Sequence, residues 1–333
     1  MSNRQIVVKD LPKGVLGQEH FDLREVERPV PGNGEVLLRV ILMSIDAANR
    51  SWLQGATYRD AVRAGDPMPT YAVCEVIESK SHRLREGDLV AAEATWSDHV
   101  VCPAHKVVKL PRVPVLSHLL SVYGIAGKTA FHGLLQIGQP LAGETIVVSA
   151  AAGSVGGYVG QIGKALGCRV VGIAGGPAKC AYVTKELGFD DCIDYRAGGM
   201  FKALRAACPD GIDVYFDNVG GEILELVLGL MNERGRVVCC GAISQYDTDA
   251  PTGPRNLPGV VVVKRLRMEG FIVMDFARDD AKAVRALQTW VAAGQIKVTE
   301  DIVDGLEKAP AALIGLLAGD NTGKRMVRVG PDP

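Results

Sequence analysis

Up to about residue 120 the chain alternates apolar and polar positions in short runs, such as EVLLRVILMSID (35–46), GDLVAAEATW (87–96) and DHVVCPAHKVVKLP (98–111). Glycine, proline and charged turns separate these runs, which predicts a compact β-rich unit with no helix of length. From about residue 122 the pattern changes to apolar strand, glycine, helix, repeated. TIVVSA, CRVVGIAG, DCIDY, DVYFDNV and GRVVCCGA read as strands. GGYVGQIGKALG, AKCAYVTKELG, MFKALRAACPDG and EILELVLGLMNERG read as helices that end near glycine. Strands and helices alternating at these spacings call for a parallel sheet, because parallel neighbours need crossovers and the crossovers cover both faces. The expected fold class is therefore α/β, a β-rich domain plus a doubly wound domain. Near the end ALQTWVAAGQIK is helical, and the segment 300–330 finishes in a strand expected to return to the N-terminal unit.

Composition narrows the picture. With 333 residues, 47% hydrophobic and 23% charged, the chain can bury two modest cores. Its 37 basic and 38 acidic side chains give no long-range field for a polyanion, so nucleic acid is not an expected partner. The N-terminal MSNRQIVVKDLPKG is charged where a signal peptide is apolar, and no apolar run approaches the ~20 residues of a membrane span. A cytoplasmic protein with no membrane partner is the expectation. The eight cysteines lack the paired short spacings of a zinc loop and read as reduced, mostly buried thiols; Cys239 and Cys240 are adjacent on a strand and face opposite ways.

Chemistry enters at AAAGSVGG. Ala151, Gly153 and Gly156 fill the three places of a G-x-G-x-x-G turn, with alanine at the first. Gly153 lets the backbone approach a diphosphate, Gly156 lets the helix lie close to the strand, and the free N–H groups of the helix face the anion. The turn follows an apolar strand and opens a helix, which is the context the motif requires. The second strand ends about twenty residues later, where an acid would hold the ribose of NAD. Gly175 and Gly176 stand there instead, and Lys179 begins the next helix. Room for a phosphate, with a cation to pair it, points to NADP.

The motifs AAAGSVG, GCRVVGIAGG, ELGFD with IDY, YFDNVGGE, GRVVCCGAISQY, RLRMEGFIV and NTGK together resemble the zinc-independent medium-chain dehydrogenase/reductases, in the leukotriene hydroxydehydrogenase, prostaglandin reductase and alkenal double-bond reductase group. The resemblance covers nearly the whole chain. It implies a GroES-like domain, residues 1–121 completed by 298–333, around a Rossmann domain of 122–297, usually in a homodimer. It puts Gly153, Ser154, Val155 and Gly156 on the diphosphate, and Lys179 and Tyr195 near the 2′-phosphate. Asn218 and the loop Cys240, Gly241, Ala242, Ile243, Ser244, Gln245 and Tyr246 would line the cofactor. Phe271, Ile272 and Val273 would lie beside the nicotinamide, and Asn321 would close over it. The stretch VVVVKRLRMEGFIVMDF (260–276) looks like the family's dimer-pairing strand; read without the family it is equally an internal sheet strand.

Alcohol dehydrogenases of this superfamily hold a catalytic zinc with Cys, His and Cys or Asp, and carry a loop of four close cysteines; neither set is present. His99, Cys102 and His105 cluster in sequence, but strand residues three apart point to opposite faces, so no metal is expected. Without a Lewis acid, the reaction best supported is reduction by NADPH of a C=C conjugated to a carbonyl. Charge collecting on the carbonyl oxygen needs a hydrogen-bond donor, and the candidates are Tyr246 and a ribose hydroxyl of the cofactor. The α-carbon proton comes from Tyr246 or water. The family commonly reads S-x-D-P-Y-M-R where this chain has SIDAANR, so Ala48 replaces a pocket tyrosine while Arg50 remains. Tyr58 or Tyr71 fills the gap, or the pocket is wider. A small-molecule enone or enal is the expected substrate. Alcohol oxidation or quinone reduction on the same scaffold, and NADPH binding without turnover, are the rivals.

Overall fold

The alternating runs of the N-terminal third fold as strands whose inward positions are almost fully buried. The computed structural model describes residues 2–248 and 250–333, and the chain forms two units: the residues up to Leu120 with Glu300–Asn321 and Arg325–Pro333, and Ser121–Thr299 with Thr322–Lys324. In the first unit β1 (Ser2–Val8) and β2 (Phe21–Glu27) form an antiparallel pair. Next come β3 (Glu35–Ser44), the single turn α1 (Ala48–Ser51), β4 (Pro69–Ser79), β5 (Leu89–Thr95), β6 (His99–Pro103) and β7 (Val108–Lys109). β3 pairs antiparallel with β4 and with β6, β4 with β5, and β5 with β7.

The second unit starts with α2 (Ile125–His132), then alternates β8 (Thr145–Ser149), α3 (Ser154–Ala165), β9 (Arg169–Ala174), α4 (Pro177–Lys185), β10 (Asp191–Asp194), α5 (Met200–Ala207), β11 (Ile212–Asp217), α6 (Gly221–Leu230), β12 (Met231–Cys239), α7 (Leu257–Lys264), β13 (Arg267–Gly270) and α8 (Asp280–Ala292). The six strands are parallel, in the order β10-β9-β8-β11-β12-β13. Because consecutive strand residues face opposite sides, the sheet feeds two cores. Val148, Val170, Val214, Phe216 and Val238 point to the side covered by α2, α3, α4 and α8. Val147, Val171, Tyr215 and Val237 point to the side covered by α5, α6 and α7. Each such Val contributes roughly 1.5–3 kcal/mol when fully buried. Double burial is why these strands read as unbroken apolar runs.

The tail contributes β14 (Glu300–Asp304), α9 (Ala309–Ala318) and β15 (Lys324–Arg328). β15 pairs antiparallel with β3, setting Met326 opposite Ser44, and the first unit's sheet runs β14-β15-β3-β4-β5-β7.

Two expected elements change. The helix read through residue 235 stops at Leu230, and Met231 begins β12. Met231 is buried in the core, the Asn232 amide donates to Asp210 O (3.0 Å) and Asp213 Oδ1 (2.8 Å), and Arg234 takes a positive φ, so tertiary contacts override the local helix preference. The valine run 260–263 is helical rather than extended. Pro258 sits in the first turn of α7, Val260 and Val261 pack on the core, and Val262 and Val263 are exposed. Only Arg267–Gly270 of the 260–276 stretch is strand, paired parallel with β12 at the sheet edge.

Candidate functional site

The strand order of the second unit reverses between β8 and β11, and doubly wound sheets bind ligands at the carboxyl ends of the strands flanking that reversal. β8 ends at Ser149 and β11 at Asp217, both buried. Asp217 Oδ1 accepts from Tyr215 OH (2.8 Å), Gly220 N (2.8 Å), Val219 N (3.0 Å) and Ser149 Oγ (3.3 Å). Burial nevertheless raises the Asp217 carboxyl above its ordinary value, against the pull of those donors. Asn218 closes the crevice floor: its N–H donates to Ser149 Oγ (2.9 Å) and its amide to Ser149 O (2.8 Å). Asp217 is a residue the sequence reading passed over, taking only Asn218 from the DNVGG motif.

After β8 the chain turns through Ala150, at φ +51°, and enters α3 with Gly153 as its N-cap. Gly156 is required by close approach, since a Cβ there lies 2.4 Å from Ala150 O and 3.1 Å from Ala151 Cα. Gly153, Ser154, Val155 and Gly156 thus make the first turn of a twelve-residue helix packed against β8, with the helix's N-terminal N–H groups and the positive end of its dipole at the crevice. A cavity of single-water size behind this turn, lined by Gly157, Tyr158, Gln161, Tyr182 and Thr299 among others, is too small for a nucleotide.

At the end of β9, Gly175 passes beneath two side chains: a Cβ on it lies 2.9 Å from Tyr195 OH and 2.9 Å from Arg196 Nε. Tyr195 and Arg196 follow β10, and the Arg196 guanidinium stands 5.7 Å from the centre of the Tyr195 ring. Lys179 lies in the first turn of α4, after Gly176 and Pro177. The Asp194 carboxylate at the end of β10 accepts on Oδ1 from Gly176 N (2.8 Å) and Arg196 N (2.9 Å), so it fixes the turn. The structure therefore brings Tyr195 and Arg196 against Gly175, and Lys179 follows in the first turn of α4. Arg196 was missed because its neighbour is a different strand's end, which only the sheet order reveals.

The loop after β12 is laced to the Asn218 turn. Cys240 and Gly241 donate their N–H groups to Asp217 O (2.9 and 3.1 Å), Ile243 N donates to Asn218 O (3.2 Å), and Ser244 Oγ donates to Val219 O (2.6 Å). Gln245 donates to Ser244 Oγ (2.7 Å), and the Ala242 N–H donates to the Tyr246 hydroxyl (3.1 Å). The half-buried Tyr246 is thus oriented by its own loop, its hydroxyl accepting from the Ala242 N–H. Burial pushes the Cys240 thiol up to about 12. Phe271 meets Phe216 edge-on (6.5 Å) and Phe276 (6.1 Å), and Ile272 and Val273 continue into a 3-10 turn.

The remaining candidates belong to the first unit. Arg50 is 2% exposed and donates to Gly14 O (2.7 Å). Tyr58 is half exposed and accepts from the Trp52 indole (3.2 Å), while the half-buried Tyr71 lies on β4 against a core of Ile41, Val73 and Leu119. Asn321 is buried just before β15.

Among the described residues no three His, Cys, Asp or Glu side chains stand close enough to hold a metal ion. His99 and Cys102 lie on β6 and His105 in the turn after it; the Cys102 thiol donates to Glu93 O (3.4 Å) and burial raises it to about 11.

The family described as N-terminal domain of oxidoreductase matches residues 4–110, and that described as zinc-binding dehydrogenase matches 154–289. The donor set does not fit the zinc of the second description. NADPH-dependent curcumin reductase of Escherichia coli (strain K12) is 42% identical over 99% of this chain and 98% of its own. The 2-alkenal reductase (NADP(+)-dependent) of Nicotiana tabacum is 36% identical over 99% of this chain and 98% of its own. The crystal structure of CurA in complex with NADPH from Vibrio vulnificus superposes with a TM-score of 0.94 at 40% identity, covering 99% of this chain and 100% of that one.

Proposed function

The chain belongs to the zinc-independent medium-chain dehydrogenase/reductase family, and from that premise we propose that it is an NADPH-dependent reductase of the C=C bond of α,β-unsaturated aldehydes or ketones. The observation that carries the reading is the pair Tyr195 and Arg196 over Gly175, at the strand end where a ribose-binding acid would otherwise stand, with Lys179 in the first turn of the helix that follows. Two cations and a phenol suit a 2′-phosphate, and the first turn of α3 suits the diphosphate. Ser149, Asp217 and Asn218 fix the crevice floor, with Phe271 at its apolar side and Asn321 assigned by the family resemblance to cover it. NADPH supplies the hydride for the β-carbon. The chain must stabilise the negative charge that then gathers on the carbonyl oxygen, and the Tyr246 hydroxyl is the side chain held in place to donate to it. A well-placed donor of this kind is worth about 3–4 kcal/mol at the transition state. The alternative donor is a cofactor ribose hydroxyl, and the α-carbon proton comes from Tyr246 or water; Tyr246→Phe separates these, since it removes only the first.

We also propose a homodimer paired at the β13 edge, where Val262 and Val263 of the neighbouring helix are 73% and 70% exposed, and a cytoplasmic location. No described helix is long and apolar enough to cross a membrane. Sedimentation tests the dimer. Stopped-flow oxidation of NADPH with enals, cyclic enones and aryl enones, beside an alcohol with NADP and a quinone, tests the reaction; absence of turnover with every enone overturns it.

A further inference from the structure

Cys180 on α4 and Cys192 on β10 meet across the helix–sheet contact with their sulfurs 3.1 Å apart, both thiols free and both half-buried. Nothing in the nucleotide chemistry uses them. The other six cysteines offer no comparable arrangement: Cys74, Cys102, Cys168 and Cys208 are buried, and Cys239 and Cys240 face opposite cores. Cys180 is one residue after Lys179, and Cys192 is two before Asp194, whose carboxylate holds both Gly176 and Arg196 by their N–H groups. The two sulfurs therefore belong to the same two elements, α4 and β10, that carry the proposed phosphate subsite.

We propose that Cys180 and Cys192 form a reversible dithiol–disulfide couple, oxidised by low-molecular-weight disulfides, whose state is coupled to nucleotide occupancy of that subsite. Cys180 is the attacking thiol. It lies near the N-terminus of α4, where the helix dipole favours a thiolate, and it accepts the S–H of Cys192. Its thiolate attacks one sulfur of the small disulfide; the reagent's S–S bond breaks, a mixed disulfide forms, and the departing thiolate takes the proton Cys180 gave up. The Cys192 thiolate then attacks the Cys180 sulfur and expels the second small thiol, protonated by the proton from Cys192. The protein loses two electrons and two protons, and the reagent becomes two thiols. Burial raises both thiols above their ordinary range, so the exchange is slow and is read at equilibrium.

Coupling follows from length. Bonding at 2.03–2.05 Å draws the sulfurs together by about 1 Å from their present separation. The first turn of α4, which carries Lys179, and the end of β10, which leads into Tyr195 and Arg196, are drawn together with them. This part rests on the NADPH reading above. The bridge should weaken NADPH about fivefold to tenfold while leaving NADH nearly unchanged, and by linkage saturating NADPH should lower the bridged-to-reduced ratio by the same factor.

The full-length protein is equilibrated in glutathione buffers of graded ratio, with and without NADPH, then acid-quenched, alkylated and peptide-mapped. The expected product is a Cys180–Cys192 cross-link with Cys74 and Cys208 still reduced, and in Cys192→Ser a Cys180–glutathione mixed disulfide. Two separately glutathionylated cysteines in the wild type, or both reduced at every ratio, overturn the couple. Calorimetry on reduced and bridged protein tests the coupling: a bridge that leaves the NADPH dissociation constant unchanged overturns it. If the reduced protein shows no preference for NADPH, the subsite reading fails instead, and the mapped cross-link stands by itself.

Discussion

Gly156→Ala is the sharpest test of how the cofactor turn is built. The added methyl lies 2.4 Å from Ala150 O and 2.9 Å from Ala150 C, and both are backbone atoms that no rotamer change can move. Bringing the first contact to at least 3.0 Å shifts the start of α3 away from β8 by at least 0.6 Å. Overpacking of this kind costs about 1–3 kcal/mol. Alanine's better helix propensity returns roughly 0.5–1 kcal/mol, leaving a net loss of about 0–2.5 kcal/mol, centred near 1. For a domain of this size that lowers the melting temperature by a few °C. The same displacement carries the N–H groups of α3 off the diphosphate, and NADPH should bind about tenfold more weakly, or ~1.4 kcal/mol. The control is Gly229→Ala in α6, where the methyl meets only the movable ring of Phe201 at 3.3 Å; it should be neutral or slightly stabilising. Thermal unfolding and calorimetric NADPH titration read both variants. Equal melting temperatures and equal affinities for the two would refute the claim that close strand–helix approach sets this turn.

Arg196→Gln and Lys179→Gln should each weaken NADPH about tenfold with NADH unchanged, since a charge-assisted contact is worth ~1.5–3 kcal/mol; equal losses for both nucleotides in binding assays contradict the subsite. Tyr246→Phe should lower kcat by about a hundredfold to a thousandfold with the NADPH dissociation constant nearly constant, and an unchanged kcat assigns the donor role to the ribose hydroxyl. Asp217, with its carboxyl raised in the fold, contributes stability that is complete below the ordinary carboxylate pKa of about 3.9 and is lost as pH rises through the raised value. Urea midpoints measured across acid pH should therefore fall in the wild type relative to Asp217→Asn as pH increases; parallel profiles would show that burial does not perturb this group.

The legibility of the chain follows from which interactions are local. TIVVSA and CRVVGIAG announce buried parallel strands because both faces of β8 and β9 are covered, and the glycines between strand and helix mark the crossovers. VVVVKRLR misleads for the same reason in reverse: β-branched residues favour strands, yet Pro258 and the two core-facing valines make α7 a helix. Lys179 is legible because it follows β9 in sequence. Arg196 and Asp217 are not, since one acts beside the end of a neighbouring strand and the other through donors gathered from β8 and the turn after β11. The cysteine pair is invisible in sequence because twelve residues separate its members.

The route of the tail carries a consequence for synthesis. The stretch of β3 from Leu42 to Ser44 is paired by β15, which follows the whole of Ser121–Thr299 in sequence. On the ribosome that edge stays open on one side while everything between the two strands is made, and the second unit, continuous except for residues 322–324, can already form. An unpaired strand border on a nascent chain invites foreign partners, so the returning strand acts as a seal, and its deletion should raise aggregation before it touches turnover.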